Sequence, residues 1–237
     1  MKAAFQIQYK GTDFFGSQIQ KQTPNTVMGV VSHIFSKLGI KGTIAPSGRT
    51  DKGVHATGQV CHIELPPFWD DIKKLKKVLN KMLPPSIKIK KIWRVDDNFH
   101  ARYSAKKRVY RYIIKQGESN PFEDDFVTFV QNIDFEKTIQ NTKLFEGKHN
   151  FKNFIKNDHS SKTTIREIYK SFAYKHNGYI VLYFEANGFL RTQIRFMVYA
   201  ILNMTKDEIL QQLYLKKKHK LKPAPPNGLY LAKIKYV

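Results

Sequence analysis

Apolar residues in this chain recur at two periods, and the period changes at glycine and proline punctuation. That pattern restricts the chain to a fold that mixes strands with helices. Ala3 to Tyr9 alternates Phe5, Ile7 and Tyr9 against Gln6 and Gln8, a first strand turned by Gly11 to Gly16. Thr23 to Thr26 opens a helix with Asn25 or Thr26 as the cap. Val27, Val30, Val31, Ile34, Phe35 and Leu38 follow at helical spacing, and Gly39 stops it. Gly42 to Ala45 reads as a brief strand. Thr57 to Leu65 reads as a longer one, with Val60, His62 and Glu64 on one side and Cys61, Ile63 and Leu65 on the other. Past Pro66-Pro67, Asp70 to Leu83 is a second helix with Leu75, Val78, Leu79 and Met82 inward and lysines outward. Beyond Pro84-Pro85 a strand runs from Ile87 to near Val95, Phe99 to Ala105 is a polar, basic connection, and Val109 to Lys115 is a strand again.

Gly117 to Phe122 is a loop, and the chain divides there into an N-terminal half, 1–116, and a C-terminal half, 117–237. In the second half Phe135 to Phe145 is amphipathic, and Gly147 to His159 has no clear period. Thr164 to Tyr174 and Tyr179 to Glu185 form a hairpin turned at His176-Asn177-Gly178. Leu190 to Met204 and Lys206 to Leu215 are helices, Lys216 to Lys222 is a mobile basic segment, and Leu229 to Val237 closes with a strand. The class is therefore α+β, a mixed, mainly antiparallel sheet with helices on one face. Both halves carry strands and helices, which permits two similar halves, although no sequence repeat marks them.

Between the strands at Gly42 and Thr57 lies Ala45 to Ala56, which packs an acid, two bases, a histidine and two glycines into twelve residues. A loop at the end of a sheet holds polar groups on a rigid support. Gly48 and Gly53 permit backbone angles closed to other residues and let a ligand approach the main chain. Asp51 stands between Arg49 and Lys52, and nearby cations keep a carboxylate ionised, as a nucleophile or charge stabiliser requires. A turn capped by Asp51, with Arg49 paired in solvent, would give the same tetrapeptide.

The charge balance narrows the partner. Lys and Arg number 41 against 19 Asp and Glu, a net +22, which calls for a polyanion, first of all nucleic acid. Aromatic residues lie among the basic ones at Arg102-Tyr103 and from Arg108 to Tyr112, and this favours RNA, whose unpaired bases stack on such rings. A lysine-rich, merely solubilising surface would account for part of the excess. A hydrophobic fraction of 41% supports a substantial core. Cys61 is the only cysteine, so no internal disulfide forms and a reducing compartment fits. Met1 to Lys10 lacks a signal peptide's apolar segment, and an apolar run such as Tyr179 to Phe184 is far too short to span a bilayer. The expected location is the cytoplasm, with no membrane association. A zinc nucleobase deaminase would need a Cys-x-x-Cys pair, which one cysteine cannot supply, and no Gly-x-x-x-x-Gly-Lys-Ser/Thr phosphate loop is present.

Four stretches together resemble the TruA-type tRNA pseudouridine synthases. They are Gly48 to Ala56, then Phe99 to Ala105 followed by Tyr110-Arg111-Tyr112, then Asn187 to Arg191 continuing to Arg195, and Ala224 to Leu231 with its Gly-Leu-Tyr-Leu ending. They occur in the family's order from end to end. Two departures stand out. Ser17 follows Phe15-Gly16 where the family carries tryptophan, and Arg191-Thr192-Gln193-Ile194 replaces a run of histidine and methionine.

The resemblance implies the pseudouridine synthase fold and an isomerase acting on uridines at positions 38 to 40, in the anticodon stem-loop of tRNA. The glycosidic C1′–N1 bond breaks, uracil turns, and C5 bonds to C1′. No metal or cofactor is implied, because nothing is oxidised and no group enters or leaves. By motif position Asp51 is the catalytic carboxylate, acting at C1′, at C6 or on the C2′ proton. Tyr110 is the base-stacking tyrosine, Arg195 the arginine paired with the aspartate, Arg49 a holder of the flipped nucleotide and Leu229 part of an apolar wall. Family members act as homodimers, and the two halves are expected to make one catalytic unit with a central cleft. The alternative is a non-catalytic tRNA-binding or RNA-folding protein on the same scaffold.

Overall fold

The computed structural model describes residues 1–156 and 163–237. In chain order the regular elements begin with β1 (Lys2–Tyr9), α1 (Val27–Lys37), β2 (Ala45–Pro46), β3 (His55–Glu64), α2 (Ile72–Met82) and β4 (Ile87–Arg94). They continue with β5 (Lys107–Gln116), β6 (Thr128–Val130), α3 (Phe135–Lys143), β7 (Gly147–Asn150), β8 (Ile165–His176) and β9 (Tyr179–Ala186). The last are α4 (Gln193–Asn203), α5 (Lys206–Leu213) and β10 (Leu229–Lys235). Two compact units result, Met1–Lys106 with Tyr230–Val237, and Lys107–Leu229. No helix among the described residues is long and apolar enough to cross a membrane.

In the first unit β3 is central. It pairs antiparallel with β1, Phe5 opposite Cys61, and along its other edge with β2 and β10, the latter in parallel. β4 lies antiparallel on β1. Phe5 and Cys61 project to the face covered by α1: the Phe5 and Phe35 rings stack 5.2 Å apart, and Cys61 Sγ lies 3.9 Å from Met28 Sδ. Such a ring pair adds about 0.5–1.5 kcal/mol beyond the area it buries. Burial pushes the Cys61 thiol far up, so it behaves as a small core residue. Thr26, one of two candidate caps, is the one used, its hydroxyl accepting the Gly29 N–H (3.1 Å). That contact contributes about 1 kcal/mol.

Asp71 caps α2 through the N–H groups of Lys73 and Lys74. The inward stripe differs from the expected one: Leu75, Leu79 and Leu83 are buried, Val78 is half-buried and Met82 is 37% exposed. Steps of four residues keep the three leucines on one line, and Met82 falls off it. Asn80 of α2 donates to Ile89 O and accepts from Ile89 N–H of β4. It thereby covers backbone groups of an outer strand whose Lys88, Lys90 and Lys91 are exposed.

The second unit orders its strands β5-β9-β8-β7, antiparallel throughout, with β6 parallel on β5. The hairpin turns as its sequence demands: Asn177 and Gly178 both take positive φ, 47° and 80°. The helices α3, α4 and α5 share a core with Phe145, Phe151 and Phe154. Asn141 of α3 donates to the carbonyls of Ile201 and Met204 at the end of α4, groups a helix terminus leaves unpaired. Thr205 and Glu208 form a reciprocal cap on α5. Sequence periodicity missed β6 and β7 because three or four residues are too few to display a period. The end of the expected irregular stretch, from Asn157 to His159, lies outside the described residues. The basic segment at Lys216 to Lys222 is anchored rather than loose, the His219 N–H donating to Gln212 Oε1 (2.6 Å).

Candidate active site

The Asp51 loop is built by hydrogen bonds from the residues around it. Ser47 N–H donates to Val60 O, and Ser47 Oγ donates to Gln59 Oε1 (2.6 Å). Gln59, fully buried, returns Nε2–H to Gly48 O (2.7 Å), so one amide closes the start of the loop on β3. Tyr9 Oη lies 2.8 Å from Thr50 Oγ1. Past Asp51 the chain reverses, Val54 N–H donating to Asp51 O (3.1 Å) with Gly53 at φ +81°. Gly53 uses the freedom expected of it. Gly48 does not and serves through its carbonyl instead.

His55 is buried and accepts the Gly11 N–H at Nδ1 (3.0 Å), while its ring stacks on Tyr230 at 4.6 Å. Its ring is thus packed inside the fold at the start of β3. A Cβ on Gly11 would lie 2.0 Å from Val54 O, so only glycine fits there. Asp51 is half-buried, Arg49 is exposed, and the Lys52 ammonium sits 4.3 Å over the Phe15 ring. The loop thus presents an acid with its cations on a fixed backbone.

The same unit holds the second motif in one tight turn. Ala101 N–H donates to His62 Nδ1 (3.1 Å), Tyr236 Oη donates to Ala101 O (2.9 Å), and His100 Nδ1 accepts from the N–H groups of Arg102 and Tyr103. His62 is pushed below the ordinary histidine range, first by burial and then by His100 and Lys2. Arg102 and Tyr103 are exposed.

Tyr110, Arg195 and Leu229 belong to the second unit. Tyr110 lies on β5 opposite Phe184, buried, with its ring edge-on to Phe189 at 5.3 Å. Arg195 is in the first turn of α4. Its Nε donates to Ala224 O (2.6 Å) and its carbonyl accepts the Ala224 N–H, so the third and fourth motifs fix one another. α4 begins from a strained residue: Thr192 has φ 62°, ψ 2°. A β-branched residue there costs about 1–3 kcal/mol, and such strain gathers at functional sites. Gln193, fully buried, offsets it by accepting the Leu190 N–H (2.8 Å). Tyr112, two residues along β5, bonds to Thr128 and Pro225. Burial raises its hydroxyl pKa far above the tyrosine range, opposed by the Thr128 bond and by the Arg195 charge. Leu229 is buried at the start of β10, its N–H donating to Pro226 O (2.9 Å).

Tyr9, Gly11, Ser17, Gln59 and Ala224 are supporting residues that sequence reasoning did not single out for a role. Gln59 carried a signal, a long polar side chain inside an otherwise apolar strand. Ser17 carried one as a departure from the family pattern, and Ala224 as the start of the fourth motif; Tyr9 and Gly11 carried none, because each acts through a partner distant in sequence.

A family model described as tRNA pseudouridine synthase matches residues 5–104 and 142–237. The chain is similar along its whole length to curated relatives. The tRNA pseudouridine synthase A of Campylobacter jejuni (strain RM1221) is 38% identical, covering 100% of both chains. The protein of that name from Wolinella succinogenes is 37% identical over 97% of this chain and 92% of that one. Its counterpart in Dictyoglomus turgidum is 39% identical over 98% of each.

Proposed function

The chain belongs to the tRNA pseudouridine synthase family, a family of isomerases, and from that premise we propose that it converts uridine to pseudouridine at positions 38 to 40 of the tRNA anticodon stem-loop. The observation that carries this reading is the Gly48-to-Ala56 motif, which is held on β3 with its acid and its cations on a fixed backbone. Asp51 is the reacting carboxylate. An ionised carboxylate can add to electron-poor C1′ or to C6, or take the C2′ proton, and each route frees uracil from C1′. After the base turns, C5 bonds to C1′, the C5 proton leaves and N1 gains one, so the atoms balance. Tyr110 supplies an aromatic face and a hydroxyl for the base and its C5 proton. Arg195 supplies the reaction's cation, Arg49 holds the flipped nucleotide and Leu229 gives apolar contact.

The +22 charge suits a partner with a phosphate backbone, and the work belongs to the cytoplasm, where tRNA is modified. Purified protein incubated with an unmodified tRNA carrying uridine at all three positions is expected to yield pseudouridine there. Product confined to another arm would refute the positional assignment. The acting species is a homodimer, as the family resemblance implies. Light scattering is expected to give twice the chain mass, and a fully active monomer at working concentration would sink that part.

A further inference from the structure

Ser17 lies 33 residues from Thr50 in sequence, is 1% exposed, and touches Thr50 three times. Thr50 N–H donates to Ser17 Oγ (2.8 Å), and Ser17 N–H donates to Thr50 O (3.1 Å). The Ser17 hydroxyl also reaches Thr50 O at 3.4 Å. Both backbone groups of the residue before Asp51 are therefore gripped by one residue. That residue is itself anchored. Ser17 O accepts the Met28 N–H (3.0 Å) and Gly16 O the Val27 N–H (3.2 Å), two donors that the start of α1 leaves unpaired. Gly16 makes the approach possible at φ +98°, where a Cβ would already lie 3.2 Å from Thr50 O.

We infer that Ser17 is a positioning residue for the reaction: its hydroxyl and backbone clamp Thr50 and so fix the direction in which the neighbouring Asp51 carboxylate points. The inference rests on the functional reading above and adds a residue to it. The chain runs from helix α1 through Ser17 to Thr50, and Asp51 is the next residue along. A rotation of the Thr50 peptide would swing the Asp51 side chain with it. Tyr9 holds the Thr50 side chain, so the Ser17 contacts are what hold its main chain. The serine stands where the resemblance leads one to expect tryptophan, a side chain with no acceptor for the Thr50 N–H.

The test uses the full-length protein with tRNA. It compares Ser17→Ala, Ser17→Cys and Ser17→Thr by single-turnover rate, tRNA Kd and thermal melt. Alanine removes the acceptor, cysteine keeps the volume with a weak acceptor, and threonine keeps the hydroxyl. Ala and Cys variants are expected to slow about ten- to a hundredfold, the scale of a small misplacement of a reacting group, with Kd unchanged and threonine restoring most of the rate. An Ala or Cys variant at the wild-type rate overturns the proposal. So does a cysteine that recovers what alanine loses, which would make volume the cause, or a threonine as slow as cysteine. If the alanine protein does not fold, the cysteine and threonine proteins decide. A wild-type protein that forms no pseudouridine would instead strike down the functional reading itself.

Discussion

Asp51→Asn will fold, bind tRNA and form no measurable pseudouridine. Asparagine keeps the size and most of the hydrogen bonding of aspartate but carries no charge. The backbone turn it sits in depends on Asp51 O and the Val54 N–H, which the substitution leaves in place. If the carboxylate attacks carbon or takes a proton, the rate should fall about a thousandfold or more, the scale seen when one member of a catalytic set is removed. Affinity for tRNA should hold or rise, since one charge that repels phosphate is gone. If Asp51 merely capped the loop, asparagine would cap nearly as well and activity would persist. The same experiment separates the enzyme from a non-catalytic RNA-binding protein on this scaffold, for which the substitution would change little. Pseudouridine formation, tRNA affinity and a melt on one preparation decide it. A folded, binding protein with near wild-type turnover would defeat the assignment.

Gly58→Ala carries a large expected cost to stability, of the same kind as a Cβ at Gly11 would carry. Gly58 lies on β3 where β10 runs beside it, just past the parallel pairs Tyr230 with His55 and Leu231 with Ala56. A Cβ there would fall 2.2 Å from Ala232 O, 2.9 Å from its carbonyl carbon and 3.2 Å from Lys233 Cα. All three atoms are backbone, so no side chain can turn aside, and the strands themselves would have to part. Overpacking of this kind costs about 3 kcal/mol. For a chain of this length that lowers Tm by about 6–12 °C. Gly188→Ala is the control, because its Cβ would meet only Arg166 Nε at 3.9 Å, and its melt should stay near wild type. Equal melts for the two variants would show that β10 does not press on Gly58.

Gly58 also marks the limit of what a sequence conveys. A lone glycine within a strand signals close backbone approach, but nothing nearby names the approaching strand, which comes from the last residues of the chain. Elements whose cause is local were legible. Alternation gave β1 and β3, the Asn177-Gly178 pair gave the hairpin turn, and glycine after Leu38 ended α1. The inward face of α2 was legible in part, because which residue closes the stripe, Leu83 rather than Met82, depends on where the helix is cut.

The sequence by itself determined the class of fold, the motif loop with Asp51, and the excess of positive charge. Each of these follows from residues adjacent in the chain or from their sum. Tertiary structure alone decided that β3 is central, and that Gln59 and Ser17 hold the loop. It also decided that Ala224 brackets Arg195, and that His55 is packed inside the fold at the start of β3. The physical reason is common to all of them. A hydrogen bond joins a donor to whatever acceptor the fold brings within about 3 Å, and its partner's identity leaves no trace in the local pattern of polarity.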